Sequence, residues 1–149
     1  YFLLAINILQ FDPPLGFFGD FILETRGHHA DVLDIKGVLS MVVDFARIYA
    51  LKHGVRTRNT HERLQALSEL GILTSQSYDD LERALNYLMT IRLENQVEET
   101  DQGFNPDNLI KPENLTTINQ KILKEIFAQI KNFQVRLSYD FTGTTGVKT

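Results

Sequence analysis

The chain has 149 residues, of which 43% are hydrophobic and 23% charged, which suits one domain with its own core. Its net charge of -4 and the lack of a dense Lys/Arg cluster exclude a nucleic-acid binder that works by displacing counterions. The absence of cysteine excludes disulfides, zinc knuckles and thiol nucleophiles together, and fits a reduced cytoplasmic compartment.

An opening helix is predicted over most of Tyr1 to Gln10, stopped by Asp12-Pro13-Pro14, where the prolines remove amide donors. The segment starts as if helical turns were already in progress, so the sequence reads as a piece of a longer protein. It lacks the basic flank of a signal peptide, and no apolar run approaches the roughly 20 residues that cross a bilayer, so no membrane partner is expected. Phe21-Ile22-Leu23 and Val32-Leu33 favour strands and leave room for one short β-hairpin around Thr25 to His29.

Leu39 to His53 reads as a buried helix closed by Gly54. Thr60 is the expected N-cap of a short helix through Leu64, Leu67 and Leu70, ended by Gly71. Ser77 with Asp80 resembles a capping box opening a longer helix through Leu81, Leu85 and Leu88. Its stripe then reaches Arg92 and Gln96, where the period stays and the polarity changes. Asp101 to Asn114 reads as a loop. Ile118, Ile122, Ile126, Ile130, Phe133 and Leu137 mark a final helix. These elements predict a mainly α fold, a bundle of about five helices, spanning 1–141 with a flexible tail over 142–149.

Few residues offer chemistry. Metal-dependent nucleotidyl transfer needs an Asp-x-Asp pair beside a Gly-Ser turn, and neither occurs, so no catalytic residues and no metal are expected in this chain. His28 and His29, beside Asp31 and Asp34, read as a solvated turn because adjacent histidines point apart. The tail from Gly143 to Thr149 lacks the lysine placement of a phosphate loop.

Lys36 stands at the mouth of the apolar helix, where a flexible ammonium can reach a phosphate across a cleft; composition alone favours a plain surface lysine. Asp44 and Arg47 are the only acidic and basic residues between Leu39 and Leu51. Three apart, they are neighbours on one helix and are expected to pair within packed surroundings, either fixing helix register or forming a functional polar spot. Arg92 and Gln96, one turn apart, can bind an anion or a partner carbonyl, or snorkel at a helix end.

Several segments in order carry a resemblance: Pro13-Pro14-Leu15-Gly16-Phe17-Phe18, His29, Leu33-Asp34-Ile35-Lys36, Asp44-Phe45-Ala46-Arg47 with Ala50-Leu51, Thr60-His61-Glu62-Arg63-Leu64, Arg92 with Gln96, Asn105-Pro106-Asp107-Asn108, and Leu115. Over about Leu4 to Phe141 the chain resembles the putative nucleotidyltransferase substrate-binding domain of bacterial signal-transduction proteins that also carry CBS domains and a catalytic domain similar to PII uridylyltransferase. The resemblance implies a cytoplasmic helical domain that follows an upstream nucleotidyltransferase domain in cis. It implies that Mg²⁺ and nucleoside triphosphate go with that catalytic domain, and that a PII-like protein or a small molecule is the acceptor.

In uridylyltransferases of this type a lysine-glycine and a later Arg-Asp pair stand where Lys36 and Asp44 stand here. This chain departs in having Val43 before Asp44 and a single glycine after Lys36. Lys36, Asp44, Arg47, Arg63, Arg92 and Gln96 are the substrate-binding residues that the resemblance and the polar positions together imply. The competing expectation is a non-catalytic interaction or dimerisation module, with a homodimer as its simplest form.

Overall fold

A computed structural model describes residues 1–143. Its architecture is mainly α: helices α1 (Phe2–Leu9), α2 (Ile35–Lys52), α3 (Thr60–Glu69), α4 (Ser75–Asp101) and α5 (Thr117–Thr142). Three short strands accompany them, β1 (Glu24–Arg26), β2 (His29–Asp34) and β3 (Leu109–Ile110), in antiparallel order β1-β2-β3.

α2 is the hub and packs against all four other helices. Its apolar positions are so dense that Ile35, Val38, Val42, Phe45, Ala46, Ile48 and Tyr49 are all buried, facing Leu64 and Leu67 of α3, Leu88 of α4 and Phe127 of α5 in one core. Each fully buried leucine or isoleucine there contributes about 2 kcal/mol by leaving water. α2 begins at Ile35, a turn earlier than the apolar run alone indicates, because Asp34 caps it: its Oδ1 accepts the Gly37 amide at 2.9 Å. Lys36 therefore sits inside the first turn.

The other ends follow the same physics with small corrections. The N-cap of α3 is Asn59, whose Oδ1 accepts the His61 amide, and Thr60 is the first helical residue. α4 is capped by Thr74 through the Ser77 amide, so Ser77 lies inside the helix and Asp80 accepts from Gln76 and Gln129. Gly54 and Gly71 follow α2 and α3 in the left-handed conformation expected of helix stops. In α5 the buried stripe is Leu123, Ile126, Phe127, Ile130 and Leu137, whereas Ile118 is 70% exposed. Thr142 still belongs to α5, and the tail from 144 onward lies outside the described residues.

The hairpin exists, but its first strand is Glu24–Arg26; Phe21 makes only an isolated bridge with Leu15. Between the pairs Glu24–Val32 and Arg26–His29 the register slips. Asp31, at φ 56°, lies in β2 within that interval, a conformation Asp tolerates better than branched residues do. Val32 and Leu33 beyond it are buried. The 101–114 segment is not a plain loop: it contributes β3 and a short 3₁₀ turn, Pro112–Asn114. Among the described residues no helix is long and apolar enough to cross a membrane.

α5 locks the ends together. Tyr49 of α2 donates to Asp140 at 2.5 Å, and Arg136 approaches the same carboxylate at 3.5 Å. Burial, then the Asp140 bond, pushes the Tyr49 phenol well above the ordinary tyrosine value. Lys131 and Gln134 donate to the Leu15 and Phe11 carbonyls, and the Tyr1 hydroxyl bonds the Leu51 carbonyl, so α1 is held against α2 and α5.

A cleft between the first two helices

α1 and α2 do not close fully against each other. Between them lies a cleft of about 880 Å³, within the size range of small-molecule sites. One wall, α1 and the residues just after it, presents Leu4, Ile8 and Phe11 interleaved with Asn7 and Gln10, and Met41 adds an apolar side chain from α2. Its α2 wall is polar: Lys36, Ser40, Asp44 and Arg47 follow one another at four-, four- and three-residue steps and so share a face. The end of the cleft is built from Arg26 of β1, Asp34 of β2 and the segment Asp107-Asn108-Leu109.

Asp44 and Arg47 pair at 2.8 Å, and both are partly exposed, not enclosed in packed surroundings as the sequence led us to expect. Such an exposed pair contributes little to stability. At the cleft's end, Arg26 reaches the Asp34 Oδ2 at 2.9 Å and Glu24 at 3.1 Å. The Glu24 hydrogen bond and then the Asp34 charge hold this guanidinium still more firmly protonated. Asp34 thus caps α2 with one oxygen and anchors β1 with the other. A side chain at Gly37 would put its Cβ 3.3 Å from that carboxylate, so glycine leaves Asp34 room. Lys36 is exposed and makes no hydrogen bond or ion pair with any described residue.

Arg92 and Gln96 do not line the cleft. Arg92 donates to the Asn108 Oδ1 at 2.6 Å, and Gln96 donates to the Asp107 carbonyl at 3.3 Å. The Asn108 carbonyl in turn accepts the Ile35 amide at 3.1 Å. Both side chains act from behind, fixing the wall segment to which the start of α2 is bonded. Asn95 and Glu99 complete this clasp, bonding the Leu109 carbonyl and the Asp107 amide. Arg63 stands apart from the group: its Nε donates to the Thr57 carbonyl at 3.1 Å, before α3, and it takes no part in the cleft.

The structure therefore brings Lys36, Asp44 and Arg47 together, puts Arg92 and Gln96 behind them, and separates Arg63. Sequence reasoning missed Arg26, Ser40 and Asn108. The signal for Asn108 was present, in a polar run opposite an α4 stripe that turns polar at Arg92. His29 meets Asp107 at 3.5 Å on the far side of the same segment. Among the described residues no three His, Asp or Glu side chains converge into a group that could hold a metal ion.

Compared with known proteins, residues 1–141 match the family model described as putative nucleotidyltransferase substrate binding domain. No curated protein and no solved structure matches the chain.

Proposed function

We propose, from the premise that this chain belongs to the putative nucleotidyltransferase substrate-binding domain family, that it is the accessory wall of a shared active site. In this reading it seats a substrate beside a separate nucleotidyltransferase domain carried by the same polypeptide. The parent is a bacterial cytoplasmic signal-transduction protein with CBS domains and a catalytic domain like that of PII uridylyltransferase. Mg²⁺ and the nucleoside triphosphate belong to that catalytic domain, and the acceptor is a PII-like protein or a small molecule.

The observation that supports this most is the convergence of Lys36, Asp44 and Arg47 on one open cleft whose other wall carries Leu4, Ile8 and Phe11. A cleft of this kind orients a substrate without touching its reacting bond, and orientation alone is worth large rate factors. The chain contributes binding and positioning.

The test is transfer of label from radiolabelled nucleoside triphosphates by the polypeptide that joins this chain to its nucleotidyltransferase domain, with a cell extract supplying acceptors. Lys36→Ala is expected to lower labelling about tenfold, the loss of one charge-assisted contact. Labelling unchanged in Lys36→Ala and in Arg47→Ala would remove the reading. A second reading, a homodimerising module, draws on Leu93 and Val97, one turn apart on α4 and 61% and 52% exposed. Light scattering separates the two, because a mass that stays monomeric at every concentration discards the dimer.

A further inference from the structure

The charged side chains that face the cleft are each engaged by a neighbouring group, with one exception. Arg26 is engaged by Asp34 and Glu24, and Arg47 by Asp44. Asp107 is engaged by the Leu109 amide at 2.7 Å and by His29. Lys36 is the cation left over among the described residues of the lining, and the same cleft is lined by the apolar Leu4, Ile8 and Phe11 beside the uncharged Asn7 and Gln10.

We infer that the cleft receives the acceptor of the transfer reaction as an amphipathic molecule with a single carboxylate for Lys36 and an apolar body for Leu4, Ile8 and Phe11, and that it does not receive the polyphosphate of the nucleotide. This rests on the reading that the chain seats a substrate. A triphosphate is met elsewhere in nature by several cations together with metal ions. Here the charges of Arg26 and Arg47 are already offset by Asp34, Glu24 and Asp44, so each phosphate charge beyond the first would meet a pair with no net positive charge. The carboxylate of that pair would stand beside the phosphate as a like charge. A single carboxylate needs only the one unmatched cation, Lys36. Leu4, Ile8 and Phe11 supply the rest by burying hydrocarbon, as small-molecule pockets do.

The test is backbone-amide NMR of the 149-residue chain titrated with phenylpropionate and, separately, with tripolyphosphate and Mg²⁺. Phenylpropionate is expected to move the amide signals of Phe11, Gly37 and Ser40, and Lys36→Ala is expected to weaken its binding about tenfold. Tripolyphosphate is expected to leave those signals in place. Three results overturn the inference: phenylpropionate leaving the cleft amides unmoved, its binding surviving Lys36→Ala, or tripolyphosphate moving the same amides in a Lys36-dependent way. The last would reassign the cleft to the nucleotide while leaving substrate seating intact. Failure of substrate seating itself is read from label transfer that no cleft variant changes.

Discussion

The two halves of α4 share one periodicity and do opposite work. From Leu81 to Ile91 the inward face is Leu81, Ala84, Leu85, Leu88 and Ile91, all buried in the common core. From Arg92 to Asp101 the helix instead clasps the 107–109 segment with Arg92, Asn95, Gln96 and Glu99, each aimed at a particular backbone or amide group. Apolar burial is non-directional and tolerates small shifts, whereas the clasp depends on distances near 3 Å. The first half makes the domain stable, and the second fixes the shape of one end of the cleft.

Substitutions can separate these roles. Leu88→Ala, at a position with no exposure, is expected to cost about 3 kcal/mol in urea unfolding, through lost transfer energy and the cavity left behind. Arg92→Ala is expected to cost about 1.5 kcal/mol. Its signature is local: hydrogen exchange should quicken at the Ile35 and Leu109 amides more than in the α2 interior. Equal quickening throughout α2 would mean that the clasp and the core are one unit.

Tyr49→Phe probes the α2–α5 tie and is expected to cost about 1 kcal/mol at neutral pH. Because folding raises the Tyr49 value, its contribution is fully present below the ordinary tyrosine value and is lost as pH rises above about 10. The Phe variant, lacking the phenol, should lose less stability between neutral pH and about pH 11. Parallel pH curves would contradict this assignment. Lys36→Ala, exposed and unpaired, is expected to leave the urea midpoint unchanged while altering the cleft's binding, the sharpest separation of fold from site.

The same contrast explains what could be read in the sequence. The five helices follow from apolar residues at three- and four-residue steps, a signal repeated many times in each element. Their starts are less legible, because Asn59 and Thr60 can each cap and only the backbone decides which of them precedes the helix. The first strand falls on Glu24–Arg26, not on the more apolar Phe21-Ile22-Leu23, because pairing is set by the turn and the irregular register near Asp31. Lys36, Asp44 and Arg47 were legible because a charge on an apolar helix stands out. Arg63 was grouped with them through its charge and the resemblance of the Thr60-His61-Glu62-Arg63-Leu64 segment, and nothing in its neighbours reveals that a carbonyl six residues earlier already uses it. The partner of Arg92 is a directional contact between separate segments, which leaves no periodic trace.

Asp34 pairs with Leu109, and Ile35 donates to Asn108, so the cleft's end joins stretches made at very different moments of synthesis. A ribosome delivers Lys36, Asp44 and Arg47 before the 107–109 segment, into a nascent chain whose cleft is still missing an end. Closing so large a loop costs entropy that only the later helices can offset. The cleft therefore takes its final shape late, once the 107–109 segment and the helix that clasps it have both been made.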